Sequence, residues 1–228
     1  SNSGSTWIYK AIINETSPSD LTWCKFYDPV EGAPSSSGGA TVPFASRPEV
    51  YYSLTTAWLG NQGALGGYWG TGSPFRNRTT TQGAMFFMRD DNPENCATEA
   101  QAITCDGNDG GFYSLALGER LTSDPIVYAG IVYFATYTPD SDACEVGTGR
   151  LYGMDYEDCS KGLDTNGDGA LDDDDDVSIE SEGYISNVSI GDNGKIYSSG
   201  ATDVDVQILD AAQDPFNGTA LVGWMEMF

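Results

Sequence analysis

The sequence predicts an all-β fold, and three observations support this prediction. Apolar residues spaced with a helical period are nearly absent from the 228 residues. In their place, short runs rich in Val, Ile, Tyr, Phe and Trp are separated by Gly, Pro, Asn and Asp, a pattern typical of short strands joined by turns. These runs also recur in a fixed order along the chain.

The recurring unit contains four predicted antiparallel strands. The first strand of each unit is predicted at 47–54, 123–130 and 185–192. The second begins with glycine and is predicted at 66–73, 130–137 and 194–201. The third ends near an acidic residue, at 84–91, 149–156 and 204–211, and the fourth lies at 110–117, 176–181 and 220–228. Residues 6–13 and 21–28 are predicted to be the last two strands of an earlier unit.

Units of four strands that end in a G-x-L-Y-x-x-D type turn are typical of β-propeller blades, whereas a β-sandwich is the alternative. We therefore predict one β-propeller-like domain over 1–228, with a partial blade at 1–46 and blades at about 47–118, 119–182 and 183–228. Three and a half blades do not close a ring, which usually needs at least four. Either the chain belongs to a longer propeller, or another chain pairs with its open edges.

The composition narrows the possible functions. Lys and Arg number 10 against 34 Asp and Glu, giving a formal net charge of −24, so binding to nucleic acid or to anionic lipid is not expected. That charge suits divalent cations or a basic partner, although it also serves solubility. The absence of histidine excludes Ser-His-Asp catalysis and His-ligated zinc. A carboxylate-based enzyme on a propeller is a further alternative, but no isolated acid in an aromatic pocket stands out, so we expect no enzyme. No apolar run approaches the roughly 20 residues of a membrane span.

The five cysteines contain no C-x-x-C pair, so a zinc ribbon is not expected. Cys96 and Cys105 flank a polar loop, and Cys144 and Cys159 flank a short strand. We interpret these as two candidate disulfides, which indicate an oxidising compartment. Spacing does not fix the pairing, and Cys24 is left as a free, buried or intermolecular cysteine.

The stretch "DTNGDGALDDDDDV" at 164–177 contains seven aspartates. If Asp164 is position 1 of a twelve-residue loop, the side-chain oxygens of positions 1, 3, 5, 9 and 12 come from Asp164, Asn166, Asp168, Asp172 and Asp175. Gly169 occupies position 6, where the chain must bend, and Ala170 at position 7 contributes its backbone carbonyl. This is the EF-hand type of Ca²⁺ loop, with Asp in place of the final Glu.

The shorter Asp175 side chain makes bidentate binding doubtful at position 12, and Asp173 or Asp176 could substitute as ligands. The segments on either side of the loop are predicted strands and not helices. A sensor that opens a groove between helices is therefore not expected. We expect instead that Ca²⁺ fixes a loop between two strands of one blade. An acidic hydrophilic insertion is the alternative.

The segment "GERLTSDPIVYAGIVYFATYTPDSDACEVGTGRLYGMDY" at 118–156 resembles the C-terminal β-propeller of PilY-type proteins, the surface and tip adhesins of bacterial type IV pili. Three shorter segments are similar to strands of that family: "GYWGTGSPF" at 67–75, "FFMRDDN" at 86–92 and "GWMEMF" at 223–228. PilY-type propellers carry a Ca²⁺ loop within a blade. The resemblance therefore implies the ligand positions Asp164, Asn166, Asp168, Ala170 and Asp172.

The resemblance implies a calcium-binding module of a type IV pilus adhesin that is exported to the cell surface. Its expected partners are pilin or other pilus proteins, copies of itself, or a host or matrix surface. The alternative is a structural subunit of an extracellular filament that assembles by β-edge pairing between chains. Four N-x-S/T sequons, at Asn14, Asn77, Asn187 and Asn217, are compatible with a secreted surface.

Overall fold

The computed structural model describes residues 8–14, 17–28, 50–60, 62–72, 82–105, 111–142, 144–191, 194–198 and 207–210. Its strands form four antiparallel sheets that follow one another along the chain. The predicted strand at 220–228 and the sequons at Asn77 and Asn217 lie outside the described residues. Asn187 is exposed just before a strand.

The first and second sheets come from residues 8–117. The first sheet pairs β1 (Ile8–Asn14) with β2 (Ser17–Tyr27). The second sheet contains β3 (Thr55–Leu59), β4 (Ala64–Gly70), β5 (Gln82–Asp90), β6 (Gln101–Ala102) and β7 (Phe112–Leu117).

The third and fourth sheets come from residues 120–210. The third sheet contains β8 (Arg120–Leu121), β9 (Ile126–Tyr128), β10 (Ile131–Thr138), β11 (Thr148–Asp155) and β12 (Ser178–Glu182). The fourth sheet contains β13 (Val188–Ile190), β14 (Lys195–Ser198) and β15 (Gln207–Asp210).

The second and third sheets are each four strand positions wide, although each contains five strands. β6 and β7 both pair with β5, at different points along it, and therefore share one position in the second sheet. β8 and β9 share a position beside β10 in the same way. The all-β class and the antiparallel arrangement predicted from the sequence are confirmed.

The strand predicted at 47–54, the first of the second sheet, was wrong in position. Residues 50–54 form no strand, and β3 begins at Thr55. The backbone N–H of Ser53 donates to the side chain of Asp124 at 2.7 Å, so that donor is directed to a side chain near β9 and not to β4. A strand needs its backbone donors in the ladder, and the chain joins the ladder only after this contact.

The core lies between successive sheets, because the central strands are buried on both faces. β5 places Phe86 on one face and Phe87 on the other. Phe86 stacks on Trp69 against the first sheet, whereas Phe87 joins the cluster that the second sheet shares with the third. Strands buried on both faces appear in the sequence as continuous apolar runs, as "AMFFM" does here.

Two disulfides connect neighbouring sheets, and their pairing differs from the prediction. Cys24 pairs with Cys96 and Cys105 pairs with Cys159, whereas Cys144 is free and exposed. The predicted pairs Cys96–Cys105 and Cys144–Cys159 were wrong because the fold brings together cysteines that are 72 and 54 residues apart. The Cα atoms of the observed pairs lie 5.6 and 5.0 Å apart, the usual disulfide range.

The described residues contain no helix of the length and apolar character needed to cross a membrane.

Candidate metal centre

The acidic loop connects β11 to β12 and is fixed at both ends. Before the loop, Met154 forms a β-bridge with Lys161, and Leu163 is buried in the core. After it, the carbonyl of Val177 accepts a hydrogen bond from the N–H of Gly153 at 3.1 Å. The loop therefore leaves and re-enters the third sheet at the same end of β11, with strands and not helices on either side, as predicted.

Asp164 organises the first half of the loop. Its Oδ1 accepts a hydrogen bond from the N–H of Gly167 at 2.6 Å, and its Oδ2 accepts one from the N–H of Gly169 at 2.8 Å. Both glycines have positive φ, 77° and 87°, a region that residues with a Cβ rarely adopt. The tight bend predicted at position 6 is therefore present at Gly169.

The next predicted ligands each close a small turn of their own. Asn166 Oδ1 accepts the N–H of Asp168 at 2.8 Å, and Asp168 Oδ1 accepts the N–H of Ala170 at 2.8 Å. Asp172 Oδ1 accepts the N–H of Asp174 at 2.9 Å. Asx turns of this kind fix the orientation of each side chain relative to its own backbone.

Asp175 closes the loop. It is only 2% exposed, and its Oδ1 accepts the N–H of Thr165 at 2.7 Å and the N–H of Asn166 at 3.3 Å. Its Oδ2 accepts the N–H of Asp172 at 3.1 Å. Hydrogen bonds from the N–H groups of Asp172, Thr165 and Asn166 lower the pKa of this carboxyl, in that order of importance.

Thr165 takes part in this closure and was not predicted from the sequence. Its hydroxyl lies 3.2 Å from Asp175 Oδ1 and also accepts the N–H of Asp176 at 2.9 Å. A threonine at position 2 of the loop carries no recognised signal for metal binding. Its role depends on Asp175 lying opposite, which the sequence does not reveal.

The donor set of the loop fits a hard cation such as Ca²⁺, because every candidate ligand atom is an oxygen. Asp164 uses two of its roughly four lone-pair sites within the loop, and Asp172 uses one, so both retain acceptor capacity. Asp175 is already hydrogen-bonded through both oxygens, and its role as a ligand stays a prediction. In the described part of the chain, no three acidic or cysteine side chains are gathered tightly enough to define a metal site.

With this geometry established, comparison with known proteins identifies the fold. No protein-family model and no curated protein sequence matches the chain. A solved structure does match: the crystal structure of the Pseudomonas aeruginosa PilY1 C-terminal domain. This chain has the fold of that domain.

The TM-score of the match is 0.57 at 14% sequence identity. The match covers 92% of this chain and 56% of the PilY1 chain, so this chain spans little more than half of that structure. The β-propeller-like fold class and the resemblance to PilY-type proteins are therefore confirmed at the level of the fold.

Proposed function

We propose that this chain is a calcium-binding, cell-surface module of a type IV pilus-associated adhesin, which acts in pilus assembly or adhesion. The PilY1-like fold supports the class of module, and two disulfides fit passage through an oxidising compartment. The acidic loop supports the calcium part of the proposal, because the Gly169 N–H donates to Asp164 Oδ2 and Gly169 has the positive φ expected at position 6 of a Ca²⁺ loop.

The proposed role of the loop is structural. Asp164, Asn166, Asp168, the Ala170 carbonyl and Asp172 would hold the ion, with Asp175 closing the loop beside them. The chemistry that Ca²⁺ supplies when bound is positive charge, which offsets the repulsion among seven aspartates within thirteen residues. Extracellular modules with loops of this type bind Ca²⁺ weakly, with dissociation constants of about 10⁻⁴–10⁻³ M.

A calcium titration with matched variants tests this proposal. The purified chain is titrated by calorimetry, and its melting temperature is measured in Ca²⁺ and in EDTA. Binding and the Ca²⁺-dependent rise in melting temperature are expected to disappear in the Asp164→Asn/Asp168→Asn variant. The Asp140→Asn/Asp142→Asn variant is the control, because those residues form similar exposed Asx turns outside the loop.

A wild-type chain with the same melting temperature in Ca²⁺ and EDTA and no heat of binding would exclude a structural calcium site. Pilus association needs its own experiment: pull-down of purified pili or pilin by the chain, with the loop variant compared in parallel. The absence of pilin from the bound fraction would count against an assembly role.

The β1–β2 pair favours a second candidate, the structural subunit of an extracellular filament. Among the described strands, neither β1 nor β2 pairs with a third strand. The Phe26 carbonyl of β2 accepts a hydrogen bond from the Ala100 N–H at 2.9 Å, so β1 has the more open edge. One face of this pair exposes Ile13 (62%) and Trp23 (66%). Such an edge can pair with another chain. Sedimentation velocity and electron microscopy at micromolar concentration test this, and a stable monomer would exclude the filament.

A further inference from the structure

A groove of about 650 Å³ lies between the second sheet and the acidic loop. Thr104 and Tyr113 line its second-sheet side, and Leu171, Asp172 and Asp173 line the loop side. The Cys105–Cys159 disulfide joins the two sides covalently, because Cys105 follows β6 and Cys159 lies in the turn after β11. The disulfide therefore holds the turn after β11, on one side of the groove, against the second sheet on the other.

The inner surface of the groove is partly apolar. The ring of Tyr113 packs edge-on against Tyr152 at a centroid distance of 5.9 Å, which holds it in place beside the core. Val177 packs against the same core cluster, and Leu171 is 48% exposed at the loop side. The aliphatic part of a long cationic side chain gains free energy by contact with these surfaces.

The rim of the groove carries four carboxylates and one ammonium. The acidic groups are Asp158, Asp172, Asp173 and Asp176, and the basic group is Lys161. Lys161 Nζ donates to the backbone carbonyl of Asp173 at 2.7 Å. Among the described residues, the carboxylates of Asp173 and Asp176 have neither a hydrogen bond nor an ion pair, and both are exposed.

Apart from Lys161, the described cations of the chain are engaged elsewhere. Lys10 pairs with Asp90, Lys25 with Glu99, Arg89 with Asp91 and Arg150 with Glu180. Arg120 lies over the ring of Tyr137, and Lys195 also has an interaction partner. Among the described residues, the four carboxylates of the rim are therefore accompanied by one ammonium, that of Lys161, which leaves an excess of negative charge.

We propose that this groove binds a basic segment of a partner protein, in which an Arg or Lys is adjacent to an apolar residue. The cationic head would meet the carboxylates of Asp173 and Asp176, and the stem would lie against Tyr113 and Val177. An arginine also offers a planar group that binds carboxylates in pairs and stacks on an aromatic ring. The inference rests on the proposed function only in taking the chain to be a binding module, and it requires no bound ion.

The test uses a labelled peptide, acetyl-Leu-Arg-Gly-Arg-amide, in fluorescence anisotropy with the full chain. The glutamine analogue, acetyl-Leu-Gln-Gly-Gln-amide, is the peptide control. We expect the Asp173→Asn/Asp176→Asn variant to bind the arginine peptide at least about tenfold more weakly, which is a change of about 1.4 kcal/mol. The Asp140→Asn/Asp142→Asn variant removes the same charge at the opposite end of β11 and is expected to bind as the wild type does.

Three results would overturn the proposal. One is equal weakening in both variants, which would show binding to overall charge. Another is equal affinity for the glutamine peptide. The third concerns the basic sequence "RNR" at 76–78 of this chain. A gain in peptide affinity on Arg76→Gln/Arg78→Gln substitution would show that this segment, from the same chain or a second copy, occupies the groove.

Calcium affinity is measured on the same samples, so that loss of the metal site and loss of the peptide site are recorded separately. If peptide binding survives in EDTA while no calcium binding is found, the groove stands and the calcium proposal fails. The reverse result leaves the calcium loop in place and removes the groove. Circular dichroism of each variant confirms that it is folded.

Discussion

The Tyr152 hydroxyl donates a hydrogen bond to Glu119 Oε1 at 2.9 Å, joining β11 to the turn that connects the second sheet with the third. Glu119 is 2% exposed and also accepts hydrogen bonds from the Thr136 hydroxyl at 2.5 Å and the Ala116 N–H at 2.7 Å. Burial, followed by the nearby charge of Glu119, raises the pKa of Tyr152. This buried carboxylate is therefore a structural junction in which both oxygens are hydrogen-bonded.

Replacing this carboxylate by an amide should destabilise the fold. In a Glu119→Gln variant, an amide NH₂ group replaces one acceptor oxygen. This new donor faces either the Ala116 N–H or the hydroxyls of Thr136 and Tyr152, which are themselves donors. We expect a loss of about 1–3 kcal/mol in the free energy of unfolding, measured by urea denaturation. Glu180→Gln is the matched control: Glu180 is an exposed partner of Arg150, and such pairs contribute about 0–1 kcal/mol. Equal losses in the two variants would show that Glu119 is no junction.

The glycines of the "GTG" stretch at 147–149 have a steric role that can be tested. A Cβ on Gly149 would meet the backbone carbonyl oxygen of Gly183 at 2.5 Å, and a Cβ on Gly147 would collide with the carbonyl of Thr138. These are backbone atoms, so the strands themselves would have to separate. We expect Gly149→Ala to cost about 1–3 kcal/mol in urea denaturation, as overpacking does.

Gly60→Ala is the control for this substitution. No atom of the described residues lies within 4 Å of a Cβ placed there, and the φ of Gly60 is not positive. A substitution in an exposed turn of this kind should change the free energy of unfolding by no more than about 0.5 kcal/mol. If Gly149→Ala is as stable as Gly60→Ala, β11 is not packed as closely against its neighbours as described.

The sequence predicted local features well and long-range pairings poorly. Strands such as β10 and β11 were predicted to within one residue at their ends, because aromatic and β-branched runs are bounded there by Gly, Pro and Asp. The bend at Gly169 was also predicted, because the loop pattern that requires it lies within twelve consecutive residues. The disulfide partner of Cys24 and the role of Glu119 were missed, because each depends on which sheets lie side by side. A hydrophobic pattern of period 2 specifies which side chains share one face of a strand, but it does not specify which sheet packs against that face.

The cysteine pairing can be tested by chemical labelling and by mutation. The native chain should have one reactive thiol, at Cys144, and the Cys144→Ser variant should have none. The Cys24→Ser/Cys96→Ser variant should lose about 2–5 kcal/mol of stability, because that disulfide closes a long loop. Peptide mapping by mass spectrometry identifies the pairs directly. A peptide that links Cys96 to Cys105 would contradict the structure.

Asp155 should make the fold less stable as the pH rises. Its carboxyl is half-buried at the end of β11, and burial raises its pKa above the ordinary 3.8, although N–H groups of Glu157 and Asp158 oppose the shift. A raised pKa means that the folded state keeps the proton to higher pH than the unfolded state does. The contribution of Asp155 to stability is therefore largest below about pH 3.8 and falls as the pH rises through the folded pKa.

An Asp155→Asn variant isolates this effect, because the amide oxygen can still accept the N–H of Glu157 while the group no longer ionises. The difference in unfolding free energy between variant and wild type should move in favour of the variant from pH 3 to pH 7. Urea denaturation at several pH values measures this difference and cancels the titration of the other carboxylates. If the difference is constant, or moves in favour of the wild type as the pH rises, burial does not dominate the environment of Asp155, and the turn after β11 stabilises the ionised form.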